Sequence, residues 1–109
     1  MFYGCKTIIT MVLNKIIKNN TTECLYPYIL RILKDKPKHA YILRKEIEDR
    51  FGFKPGSVTA YRVLYNLKKL GFVEKTEEKR KKVYKLTKKG EQELISVIDF
   101  YKKQISMLK

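Results

Sequence analysis

Residues 52–57 read Gly-Phe-Lys-Pro-Gly-Ser, and this punctuation constrains the fold more than any other stretch. Gly52 suits a left-handed helix end, since without a Cβ it takes positive φ at little steric cost. Pro55-Gly56 then turns the chain, and Ser57 is a favourable N-cap for a following helix. Apolar spacing makes both flanks helical. Upstream, a helix over about 40–51 offers Tyr41, Ile42, Ile47 and Phe51 as buried positions. Downstream, a helix over 57–70 brings Ala60, Val63, Leu64, Leu67 and Leu70 into one arc at 100° per residue. Two helices joined by a turn of about five residues make a helix-turn-helix.

The remaining elements frame that unit. After Gly71, residues 72–76 and 82–86 read as two short strands rich in Val, Tyr, Phe and Thr, joined by a charged connection at 77–81. Thr87 can cap a last helix from Lys88 onward, although Gly90 in its first turn lowers helix propensity there. At the other end, Cys5, Ile9, Val12 and Ile16 follow 4-3-4 spacing, widened by Ile8, Leu13 and Ile17, so residues 5–19 predict a helix with a broad apolar stripe. A polar break at 19–22 follows. Pro27 then opens a helix to about Asp35 with Ile29, Leu30, Ile32 and Leu33 as its core set, and Lys36-Pro37-Lys38 ends it. The expected fold is mainly α with a two-stranded β-hairpin: a winged helix-turn-helix at 22–87 between an N-terminal helix at 1–21 and a C-terminal helix at 88–109, in one domain.

Charge narrows what such a fold can do. The 109 residues carry 25 Lys+Arg against 11 Asp+Glu, a formal +14. Residues 79–89 hold Lys79, Arg80, Lys81, Lys82, Lys85, Lys88 and Lys89 with no acid, which is denser than solubility requires and implies a polyanionic partner. No apolar run nears the roughly 20 residues of a membrane span, and no leader pattern opens the chain. Cys5 and Cys24 lack metal or redox spacing, and a lone His39 leaves no general-base or metal set. No enzyme activity, no metal and no cofactor are expected, and a reduced, cytoplasmic setting is.

Candidate binding residues follow from the 57–70 helix. Opposite its core arc lie Val58, Arg62, Tyr65 and Lys69, flanked by Thr59 and Asn66 on one side and Tyr61 and Lys68 on the other, with no acid among them. Arg pairs with guanine, Asn with adenine, and Thr or Val methyls meet thymine methyls in a major groove. Thr59, Tyr61, Arg62, Tyr65 and Asn66 are therefore the readout candidates, with Lys54, Ser57 and Lys69 beside them. On the hairpin, Lys79, Arg80, Lys81 and Lys82 would reach phosphates or the adjacent minor groove, while Val73, Tyr84 and Leu86 pack its inner face.

Residues 27–94 resemble the PadR family of winged helix-turn-helix transcriptional regulators. The resemblance lies in His39-Ala40-Tyr41, where the family typically has His-Gly-Tyr, in Thr59-Ala60-Tyr61-Arg62-Val63-Leu64-Tyr65-Asn66-Leu67 followed by Gly71-Phe72-Val73, and in Tyr84-Lys85-Leu86-Thr87-Lys88-Lys89-Gly90. It implies a recognition helix around Tyr61, a DNA-contacting wing and a dimeric repressor, of the smaller subtype with a short C-terminal helix. Some members respond to aromatic compounds; no residue here indicates a small-molecule effector.

In the last helix Leu94, Ile98, Tyr101, Ile105 and Leu108 repeat at 4-3-4-3, the seam of a coiled coil. Joined to Ile9, Val12 and Ile16 of the N-terminal stripe, this seam predicts a twofold homodimer interface. The expected function is that of a sequence-specific regulator on double-stranded DNA, a repressor at a pseudo-palindromic operator. Two alternatives stay open: a sequence-tolerant architectural DNA- or RNA-binding protein, and a winged-helix module for an acidic protein partner.

Overall fold

A computed structural model describes residues 11–109, the Glu78 side chain excepted. Its elements are α1 (Met11–Asn19), α2 (Tyr26–Asp35), β1 (Lys38–His39), α3 (Ala40–Phe51), α4 (Ser57–Lys69), β2 (Val73–Glu78), β3 (Lys81–Leu86) and α5 (Lys88–Leu108). No helix among the described residues is long and apolar enough to cross a membrane. Cys5, Ile8 and Ile9 lie outside the described residues.

The core is built around α2, which packs against α3, α4, α5 and β3. Pro27 sits in its first turn, and the expected set Ile29, Leu30, Ile32 and Leu33 is buried with Leu25 just ahead. Tyr28 meets the rings of Phe51 and Phe53 edge-on, each at 4.9 Å between centroids, so both sides of Gly52 are held to α2. Gly52 ends α3 at φ +82°, its N–H bonded to the Glu48 carbonyl. Arg44 Nε donates to the Pro55 carbonyl at 3.0 Å and fixes the turn from the α3 side.

Several expectations need correction. The Gly56 carbonyl takes the first helical hydrogen bond of α4, from Ala60 N–H, so Gly56 is the N-cap and Ser57 is the first helical residue, exposed and without a capping bond. Along α3 the buried phase is Ala40, Leu43 and Ile47; Tyr41 is 57% exposed, since its ring stands out toward the hairpin. Leu70, expected in the core arc, lies past the last turn of α4 and is exposed.

The hairpin differs in length and in partner. β2 and β3 pair antiparallel from Val73↔Leu86 to Glu78↔Lys81, leaving only Lys79 and Arg80 as the loop where a five-residue connection was expected. The sheet has three strands, not two: β1 pairs antiparallel with β3 through Lys38↔Tyr84 and His39↔Val83, giving the order β1-β3-β2. A two-residue strand has no alternation of its own to read; it exists because the chain leaving α2 passes beside β3.

Thr87 caps α5 as expected, its Oγ1 accepting from Gly90 N–H at 3.0 Å. Gly90 has a stronger reason than propensity, for a Cβ there would stand 2.1 Å from the Phe72 carbonyl oxygen and 2.6 Å from Leu86 Cδ1. The helix crosses the β2 entry too closely for any side chain. Beyond Ile98 every residue of the 21-residue α5 is exposed, and the long axis of the molecule is 47 Å.

Candidate nucleic-acid interface

The 3.6-residue period of α4 sorts its side chains into two functions. Ala60, Val63, Leu64 and Leu67 are buried against the core. On the far side Val58 (70% exposed), Arg62, Tyr65 (64%) and Lys69 form an open stripe without an acid. Of the flanking residues, Tyr61 is half exposed on the sheet side, and Thr59 is half-buried. Asn66 is half-buried too, and its Nδ2 donates to the Tyr26 hydroxyl at 3.0 Å, which ties it to α2 and withdraws it from the outer stripe. That bond joins residues 40 apart, so no periodicity in α4 could have shown it.

On the wing, Val73, Val83, Tyr84 and Leu86 are buried, and Lys79, Arg80, Lys81 and Lys82 are exposed. Burial pushes the Tyr84 phenol above its usual range, with the Tyr61 phenol adding to the shift. Tyr84 is therefore a neutral wall between wing and α4. Lys81 reaches back to α3, its Nζ 3.4 Å from the Tyr41 hydroxyl and 5.5 Å from the ring centroid. His39 stacks with Tyr41, ring centroids 5.8 Å apart at 19°, with its Nδ1 buried and unpartnered among the described residues. Tyr41 is thus exposed beside the hairpin, at a shallow depression that it shares with Arg44, Lys45, Lys54 and the acid Glu48. The misassigned phase of α3 hid this.

Charge compensation divides the molecule. Ion pairs among the described residues engage Lys18, Arg31, Lys38, Lys45, Arg50 and Lys103. None engages a cation of α4 or of the wing. The field of the α4 cations is left open to solvent, and a polyanion with regularly spaced charges would take it up.

The residues expected at a dimer interface fall into two sets. Leu94 is buried in the core of its own chain. Val12, Ile16, Ile98, Tyr101, Ile105 and Leu108 are exposed to between 36% and 87%. Ile16, Tyr101, Ile105 and Leu108 line one apolar cleft of about 630 Å³ between α1, the start of α2 and the end of α5, with Pro27, Tyr28 and Phe100. Burial raises the Tyr101 phenol above its usual range, and the nearby Cys24 thiol contributes.

Solved structures share this fold. A transcriptional regulator from Clostridium thermocellum superposes with a TM-score of 0.73 at 18% identity, covering 93% of this chain and 95% of the other. A PadR family transcription regulator from Clostridium difficile gives 0.67 at 22%, covering 77% and 96%. F93 from STIV, a winged-helix DNA-binding protein, gives 0.65 at 25%, covering 73% and 88%. No curated protein matches the sequence significantly. The model of the PadR-like family of transcriptional regulators matches residues 29–96, which span the helix-turn-helix, the wing and the start of α5. With more than half of the chain matched, and with the fold of winged-helix DNA-binding proteins, this chain belongs to the PadR-like family of transcriptional regulators.

Proposed function

We propose that this regulator binds a pseudo-palindromic operator in duplex DNA as a homodimer and represses transcription there. The observation that carries the reading is the outer stripe of α4, in which Arg62, Tyr65 and Lys69 stand exposed with no acid on the stripe and no ion pair among the described residues. An α-helix fits the major groove, where Arg62 would meet guanine and Val58 a thymine methyl. Thr59 and Tyr61 flank that contact, Tyr41, Lys54 and Ser57 meet one backbone strand, and the wing cations meet the other. In this reading residues 22–87 are the DNA-binding unit, and 1–21 with 88–109 are the dimerisation elements.

The dimer is supported by the apolar cleft at α1 and α5 and by the exposed seam beyond Ile98. A single small module contacts too little DNA for useful specificity, and two recognition helices about 34–36 Å apart would double it. Repression would follow from occupancy, since a dimer seated on two successive major grooves excludes other proteins from that stretch of duplex. A genome-wide binding footprint tests the reading. Discrete sites with inverted half-sites are expected; even coverage regardless of sequence would replace it with an architectural role.

A further inference from the structure

The chain leaves α4 through Leu70, Gly71 and Phe72, and the backbone groups of these residues are divided between two helices. Their amides turn back into α4: Leu70 N–H to the Asn66 carbonyl at 3.0 Å, Gly71 N–H to Lys68 at 3.1 Å and Phe72 N–H to Leu67 at 2.9 Å, with Gly71 at φ +86°. Their carbonyls go to the start of α5. Lys89 Nζ donates to the Leu70 carbonyl at 2.9 Å, Thr87 Oγ1 to that of Gly71 at 2.8 Å and Thr87 N–H to that of Phe72 at 3.1 Å.

Capping alone does not require this. The Leu70 carbonyl lies at an exposed residue, where water would satisfy it, yet a lysine 19 positions on reaches back to it. The Lys89 ammonium thereby stands at the negative end of α4 and 5.3 Å from the centroid of the Phe72 ring. The Thr87 hydroxyl works in both directions, accepting from Gly90 N–H to cap α5 while donating to Gly71 to hold α4. Gly90, with no Cβ to meet the Phe72 carbonyl, lets the two chain segments close on each other. α5 therefore starts on a fixed bearing from the end of α4.

That bearing matters because α5 is long. Its 21 residues span about 31 Å, so a tilt of about 6° at the base moves the far end by about 3 Å, close to the rise of one base pair. In a dimer joined through the far end of α5, the same tilt moves α4 along the duplex.

We propose that Lys89 and Thr87 are positioning residues for operator recognition, which hold α4 at a set angle to α5 so that the two recognition helices of a dimer accept half-sites at one spacing. The proposal rests on the dimeric DNA-binding reading above and assigns neither residue a contact with DNA.

The test measures binding of the full-length protein to duplexes that carry its selected half-site twice, with the separation changed one base pair at a time. Thr87→Asp/Lys89→Met removes both side-chain ties and keeps the cap, since ionised Asp caps a helix but has no proton to donate. Thr87→Ser/Lys89→Arg keeps every donor. The unaltered protein and the Ser/Arg variant should lose about tenfold in affinity for one base pair of added or removed spacing. The Asp/Met variant should lose about twofold or less, with the preferred half-site sequence unchanged and the dimer retained by light scattering. Lys89→Met alone, a change at an exposed side chain, should fall between them at about three- to fivefold. The added carboxylate weakens binding at all spacings alike, so the profile, and not the affinity, carries the result. A sharp profile kept by both the Asp/Met and the Lys89→Met variants overturns the positioning role and leaves the regulator intact. Loss of the dimer in those variants overturns it too, for the junction would then act on association. If the unaltered protein selects no paired half-sites, the operator reading falls and this one with it.

Discussion

Arg62 stands at the middle of the α4 stripe, exposed and without an acidic partner among the described residues, so its removal changes contacts and not the core. Arg62→Ala is expected to cost about 1–3 kcal/mol at one base pair of the operator and to relax preference there. Binding arrays over single-base variants measure this, and equal weakening on every sequence would make Arg62 a phosphate contact. Gly90→Ala acts oppositely, on stability alone. Its methyl group would meet the Phe72 carbonyl and Leu86, so a loss of about 1–3 kcal/mol is expected in urea unfolding. Asp35 gives a pH signature. Hydrogen bonds from Arg31 and then Arg50 hold its carboxyl below the ordinary value of 3.8, against a smaller opposing effect of desolvation. A depressed folded-state pKa contributes stability that is present above the unfolded value and lost as pH falls through the folded one. Stability should therefore decline below about pH 4, and Asp35→Asn should make that decline shallower.

The wing is the element whose charge and geometry separate most clearly. Its ladder runs the full six residues of each strand, and β1 pairs with the strand opposite β2, so β3 is an inner strand and the tip is presented from a braced ribbon. Binding to duplex DNA should weaken steeply with salt, at a slope of about −0.9 per phosphate neutralised. Changing Lys79, Arg80 and Lys81 together to Ala should flatten that slope, and titrations at several salt concentrations read it. An unchanged slope would mean that the wing stays off the DNA. The α3–α4 turn behaves differently. Gly52 and Pro55 were legible as punctuation, yet what holds the turn is the Arg44–Pro55 bond and the Tyr28 contacts, made by residues from two other positions in the chain.

Across the whole molecule, the apolar cleft and the acid-free stripe lie on different elements: the cleft on α1, α2 and the end of α5, the stripe on α4. Each chain carries a formal +14, so an interface between two copies must rely on apolar contact and keep its lysines at the rim. In the proposed dimer, Tyr101→Asp with Ile105→Asp would bury like charges across its twofold axis. Monomers with a retained fold and lost operator affinity are expected, by light scattering and circular dichroism. A double variant that stays dimeric at micromolar concentration would assign the end of α5 to some other contact. Leu94 is excluded from such a test, because it is buried in its own chain and its loss would act on folding.

By itself the sequence determined the elements whose signals are local. The periodic apolar sets of α2 and α4, the left-handed glycine after α3, the cap at Thr87 and the inner positions Tyr84 and Leu86 of β3 are each written within a few residues, and so the order of helices and hairpin was readable. The acid-free stripe of α4 was readable for the same reason. Tertiary structure alone decided what depends on partners far along the chain. β1 exists only beside β3, Asn66 is withdrawn by Tyr26, Tyr41 faces outward to meet Lys81, and Gly90 is required by the Phe72 carbonyl. Periodicity reports which way a residue faces relative to its own helix or strand. It carries no information on which distant group waits there, and that contact is what turns a surface side chain into a reader, a brace or part of the core.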